Sequence, residues 1–156
     1  MQISQKLSIA VHCLVFIHKS QVKVTSMILS ASTGINPVII RNLLSSLKKA
    51  GIITVARGTG GARLTRQPQD ISLYDVFVAV EGNERSGLIG IHACKNNMCP
   101  IARNIGFALE RQYIQVEDAV IQKLKTLTLQ NVIDDMELYD QKNNQAQNQA
   151  EKIKNN

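Results

Sequence analysis

Three residues in the first half of this chain leave its local path almost no choice. Gly34, Asn36 and Pro37 stop one helix and start the next inside a single turn. Glycine accepts the left-handed conformation that ends a helix. Asparagine offers a side-chain oxygen to the free N–H groups of the helix that follows, and proline suits its first position, where no N–H is needed. A short helix from Thr25 or Ser26 to Ser32 and a longer one from Pro37 to Ala50, stopped by Gly51, are the result. Lys48 and Lys49 sit in the last turn of the longer helix, where cations suit the dipole. Ile40, Leu43, Leu44 and Leu47 form its buried stripe, while Val38, Arg41, Asn42, Ser45 and Lys49 point roughly the other way. Two helices joined so tightly make a helix–turn–helix.

The flanking segments extend that unit. Ile52–Val55 and Ala62–Thr65 are extended runs around the turn Ala56-Arg57-Gly58-Thr59-Gly60-Gly61, a β-hairpin placed as a wing. Upstream, residues 4–19 predict a helix with Leu7, Ala10, Val11, Leu14, Ile17 and His18 on one face and Ile9, His12, Cys13 and Phe16 on the other. A helix apolar all round needs cover on both sides, from its own domain and from a partner subunit. Ser72 opens a further helix with Asp75 at the capping-box position and Leu73, Val76, Phe77 and Val80 as its apolar face. A loop over 82–98 follows. The long helix starting at Pro100 carries Ile101, Ile105, Ala108, Gln112, Val116, Ala119, Val120, Leu124 and Leu127 as a stripe too long for one small domain to cover. Its natural partner is a second copy of itself. Thr128 caps a last helix to about Tyr139, and the Gln-, Asn-, Lys- and Ala-rich stretch 141–156 is expected to be disordered. The predicted fold is therefore mainly α. A winged helix–turn–helix DNA-binding domain (1–82) precedes a cysteine-containing sensor loop (83–99), dimerisation helices (100–140) and a tail (141–156).

Charge indicates the partner. The first 69 residues hold nine Lys or Arg and no Asp or Glu, and from Asp70 onward nine basic residues face twelve acidic ones, so the net +6 is about +9 at one end and −3 at the other. A one-signed cationic half gains affinity for polyanions by displacing counterions from phosphates. In a helix–turn–helix the N-terminal part of the second helix enters the major groove. There Arg41 suits guanine, Asn42 suits adenine and Val38 can touch a thymine methyl. Ser26, Asn36, Ser45 and Lys49, with Arg57 and Arg63 of the wing, complete the candidate contact set. Double-stranded DNA with a pseudo-palindromic operator, bound by a homodimer, is the expected partner; a regulator acting through an unknown protein partner, held by the exposed part of the long helix or the Asn/Gln tail, is the alternative. An enzyme is not expected: the chain lacks a P-loop, a GxSxG and an HExxH motif, and the Arg57–Gly61 segment lacks the Gly-Lys-Ser/Thr ending of a phosphate loop. RNA is disfavoured because none of Phe16, Tyr74, Phe77, Phe107, Tyr113 and Tyr139 interleaves the basic stretch. No membrane span or signal peptide is evident, and three cysteines fit a reducing cytoplasm.

From residue 2 to about 139 the chain resembles the Rrf-two (BadM-type) winged helix–turn–helix regulators. The likeness rests on Ile3-Ser4-Gln5-Lys6, Asn36-Pro37-Val38, Leu47-Lys48-Lys49-Ala50-Gly51-Ile52, Arg57-Gly58-Thr59-Gly60-Gly61, Asp70-Ile71-Ser72-Leu73 with Val76 and Val80-Glu81-Gly82, and Cys99-Pro100. It implies a homodimeric transcriptional regulator, usually a repressor, with the long helix as dimer seam and the cysteine loop as sensor. The loop holds Cys94 and Cys99 alone, so the chain is similar to the branch lacking the full three-cysteine iron–sulfur motif.

Three readings of the cysteines stay open. Cys99, capping the helix that begins at Pro100 with Arg103 one turn on, sits where free N–H groups and the dipole favour negative charge. It is the candidate redox-sensing thiol, resolved by Cys94 or by a cysteine of the second copy, with no cofactor. Alternatively Cys94 and Cys99, helped by His12 or a neighbour from the partner, hold a [2Fe–2S] cluster. In the third reading the loop senses nothing. Cys13 is expected to be packing.

Overall fold

The start and stop signals at Gly34, Asn36, Ser72 and Thr128 appear as capping contacts. The computed structural model describes residues 5–56, 61–82, 89–93 and 98–154, with side chains to residue 144. In chain order the elements are α1 (Gln5–Lys19), α2 (Ser26–Thr33), α3 (Pro37–Lys49), β1 (Ile53–Ala56), β2 (Gly61–Leu64), a 3-10 turn at Pro68–Asp70, α4 (Leu73–Glu81), α5 (Pro100–Thr126) and α6 (Leu129–Lys154). Gly34 ends α2 at φ 70°, its N–H donating to the carbonyl of Ser30. Asn36 Oδ1 accepts from the N–H of Val38 at 2.8 Å. At α4, Ser72 Oγ accepts from the N–H of Asp75 at 3.0 Å while Asp75 Oδ2 accepts from the N–H of Ser72 at 3.2 Å. Thr128 and Asn131 cap α6 by the same reciprocal logic, Asn131 Oδ1 accepting from the N–H of Thr128 at 2.9 Å. β1 and β2 pair antiparallel, with Ile53 opposite Leu64 and Ala56 opposite Gly61.

The core is built around α1. Leu7, Ala10, Cys13, Leu14, Val15 and Ile17 are buried, and Ile9, Val11 and Phe16 pack partly against them. Both apolar sides of α1 find cover within the same chain, since it packs on α2, α3, α4, α6 and β2. His18, expected on the inner face, is exposed beside Lys19 at the helix end, and His12 is exposed too. Extra cover comes from the far end of the sequence. Leu129 and Ile133, on the first turns of α6, are fully buried in this core with Leu29, Ile40, Leu47, Ile71 and Val76. The junction is fixed by backbone bonds, from Leu73 N–H to Leu127 C=O (2.8 Å) and from Leu129 N–H to Ile71 C=O (2.9 Å). The start of α6 thus completes the N-terminal domain, although the sequence groups it with the dimerisation helices.

Two features extend beyond this core, with Leu124 near the end of α5 packed against it. Along the whole of α5 no side chain is buried, and Ile101 and Phe107 are 73% and 75% exposed. The last helix continues to Lys154, well past the expected end near Tyr139, which corrects the reading of 141–154 as disordered. The tract contains no Gly or Pro, and its Ala, Gln, Lys and Glu are strong helix formers, so nothing local ends the helix. From Asp134 to Asn144 every side chain is exposed.

Candidate nucleic-acid interface

The outward face of α3 is polar, aliphatic and cationic. Val38, Arg41, Asn42, Ser45 and Lys49 are all exposed, as the periodicity predicts, while Ile40, Leu43 and Leu47 are buried and Leu44 half-buried. Asn36 is spent differently from a base-reading side chain, because its Oδ1 holds the Val38 N–H. Arg41 Nε donates to the Pro37 carbonyl at 3.3 Å, which lays its guanidinium along the first turn of the helix. A groove runs between α3 and the hairpin, lined by Thr25 and Ser26 of α2, Arg41, Leu44, Ser45 and Lys48 of α3, and Ala56, Gly61 and Ala62 of the wing. Lys48 belongs to this groove although sequence reasoning treated it only as a dipole partner. Its position seven residues, or two turns, after Arg41 is the signal that locates it.

The wing is held by a close backbone approach. The Ala62 N–H donates to the Val24 carbonyl at 3.0 Å. A Cβ on Gly61, which sits at φ +72°, would lie 2.9 Å from Lys23 Cγ and 3.0 Å from the Val24 nitrogen. Only glycine allows that approach. Arg63 lies on the other side of the hairpin, in a second groove with His18, Gln21, Lys23 and Leu64. The structure therefore separates Arg63 from Arg41, and it adds Lys23 to the cationic surface. Arg57 lies outside the described residues.

Charge pairing leaves this surface available. Among the described residues the salt bridges join Lys6 to Glu81 (3.5 Å), Lys19 to Glu137 and Arg66 to Asp75 (3.7 Å). None of them takes Arg41, Lys48, Lys49, Lys23 or Arg63. Cations without internal carboxylates are the ones free to displace counterions from phosphates.

These features belong to a known group. The family model of Rrf2, described as iron-dependent transcriptional regulator, matches residues 3–135. The chain belongs to the Rrf2 family. It is 36% identical over 131 residues to the HTH-type transcriptional regulator YwnA of Bacillus subtilis, covering 84% of this chain and 96% of that one. The crystal structure of a transcriptional regulator from Lactobacillus plantarum is 28% identical with a TM-score of 0.69, covering 85% of this chain and 89% of that one. The oxidized form of Staphylococcus aureus CymR shares the fold at 22% identity and a TM-score of 0.61, covering 83% and 93%. This Rrf2 chain is thus a winged helix–turn–helix transcriptional regulator. Among its described residues no helix is long and apolar enough to cross a membrane.

The family description raises the question of iron. Among the described residues no three His, Cys, Asp or Glu side chains are grouped to hold a metal. His12 Nε2 is 3.0 Å from Ser32 Oγ of α2. Burial pushes the Cys13 thiol up to about 11, so it stays protonated and packed. Cys99 is half-buried at the N-cap of α5, and its side chain makes no capping hydrogen bond. Its carbonyl accepts from the Arg103 N–H at 3.1 Å. Cys94 lies outside the described residues. Of the candidate cluster ligands, Cys99 and His12 are among the described residues, and neither belongs there to a group of three metal-ligating side chains.

Proposed function

We propose that this Rrf2 chain is a homodimeric, sequence-specific repressor that places α3 in the major groove of a pseudo-palindromic operator. The observation that carries the reading is the exposed α3 face, Val38, Arg41, Asn42, Ser45 and Lys49, continuous with a cationic groove to the wing. Arg41 and Asn42 supply hydrogen bonds to base edges, Lys48 and Lys49 meet phosphates, and Arg63 with Lys23 meets the flanking backbone. The dimer reading is supported by α5, on which no side chain is fully buried and Ile101, Phe107, Ile114 and Val116 are exposed. Two copies joined along α5 put two α3 helices on successive grooves.

Cys99 is the proposed switch. Hydrogen peroxide transfers one oxygen to its sulfur, giving the sulfenic acid and water, and the thiol of Cys94 or of a cysteine in the second copy then displaces a second water to form a disulfide. Its place at the N-cap of α5 couples that change to the dimer helix. A shift of α5 also reaches the wing domain, because Leu127 and Leu129 are bonded to Leu73 and Ile71.

The test separates base reading from phosphate holding. Arg41→Ala removes most of the preference for a selected duplex over random DNA, while Lys48→Ala weakens both alike and lowers the salt slope by about 1. Equal losses on both duplexes from both variants would refute that division.

A further inference from the structure

The first turn of α3, Pro37 to Ile40, carries no polar side chain. Asn36 Oδ1 is committed to the Val38 N–H, Pro37 has no donor, and Arg41 lies along the helix toward the wing groove. What projects from this turn is Val38, 54% exposed, and Ile39, 48% exposed. Two branched aliphatic side chains left in water on the turn that enters a groove first need an apolar target. The surrounding charge says what carries that target: Arg41 follows one turn on, Lys48 and Lys49 close the same helix, and no acid precedes Asp70. A helix so charged, in an acid-free half of the chain, suits a polyanion and not an apolar protein face. On a base edge in the major groove the C5 methyl of thymine is the one apolar group.

We propose that Val38 and Ile39 read thymine methyls, so that each operator half-site carries two thymines, on either strand, beneath the first turn of α3. The inference rests on the DNA-binding reading above and adds to it a base class that hydrogen-bond pairing does not specify.

Deoxyuridine tests it cleanly, since it differs from thymidine only by the methyl. Full-length reduced protein selects duplexes from a random pool, and the best binder is remade with uracil in place of each thymine in turn. The expected result is two sensitive positions per half-site, each losing affinity about fourfold from one unburied methyl. Val38→Ala and Ile39→Ala should each make one of those positions indifferent to the exchange. Both residues are exposed, so the variants should keep the thermal midpoint of the parent, and the double variant should bind thymine and uracil duplexes equally. A selected duplex that tolerates uracil everywhere overturns the methyl reading alone, as does uracil sensitivity that persists unchanged in the double variant. A pool from which nothing is enriched overturns the DNA-binding reading together with it.

Discussion

Replacing Gly61 by alanine tests how the wing is attached, and Gly51 and Gly34 supply the controls. All three glycines have nearly the same backbone, at φ +72°, +71° and +70°. Alanine in that region costs about 1–2 kcal/mol, offset by roughly 0.4–1 kcal/mol because the unfolded chain also loses freedom. At Gly34 and Gly51 nothing lies within 4 Å of a new Cβ, so a net loss of about 1 kcal/mol is expected there. At Gly61 the same methyl meets Lys23 Cγ at 2.9 Å and the backbone nitrogen and oxygen of Val24 at 3.0 and 3.1 Å. The lysine can move aside; the Val24 backbone cannot without stretching its bond to the Ala62 N–H. Crowding of this kind adds about 1–3 kcal/mol, and the weakened hydrogen bond contributes about 1 kcal/mol within that retreat. Thermal unfolding followed by circular dichroism should then show a midpoint about 3 °C lower for Gly51→Ala and about 9 °C lower for Gly61→Ala. DNA affinity, measured well below both midpoints, should fall for Gly61→Ala alone. Equal midpoint losses at positions 51 and 61 would refute the argument that the hairpin is pinned by backbone contact.

Three further outcomes follow from burial. Ile133→Ala should cost about 2–5 kcal/mol, read as a lowered urea midpoint, because α6 fills the core around α1. Phe107→Ala, on exposed α5, should instead leave the subunit folded and shift sedimentation toward the monomer; an unchanged sedimentation profile would tell against α5 as the seam. The Cys13 thiol, raised by burial to about 11, favours the folded state while it keeps its proton. The unfolded thiol ionises first, so that stability is present below about pH 9 and lost as pH rises through about 11. Cys13→Ala should therefore flatten part of the alkaline fall in stability between those limits, and native Cys13 should resist iodoacetamide at pH 8.

The parts of the fold set by local chemistry could be read without coordinates. Gly34, Asn36, Pro37 and Gly51 place two helices because each satisfies a specific backbone need, and the Ser72–Asp75 box does the same for α4. The exposed α3 face follows from period alone. What depended on contacts between distant segments could not be read this way. Nothing near Leu129 and Ile133 says that they complete a core begun at Leu7, so their helix looks like part of the dimer unit. The cover of α1 is misjudged for the same reason, since it is supplied by α6 of the same chain. The continuation of α6 to Lys154 is set by helix propensity, which outweighs the polar composition of the tract. At the interface, Lys48 and Arg63 are ordinary cations in sequence, and only the position of the hairpin decides that one faces the α3 groove and the other the opposite side.

The central claim is that the acid-free surface of α3 and the wing holds DNA and reads its sequence. Fluorescence anisotropy of the reduced protein on its own upstream DNA, with random duplex as competitor and salt varied, tests this most directly. The expected result is a site preference that survives competitor and an affinity falling steeply with salt, with a log–log slope of about −0.9 for each phosphate neutralised. Mild peroxide should then release the specific complex in the parent and not in Cys99→Ser. Binding that neither prefers any duplex nor weakens with salt would contradict the claim.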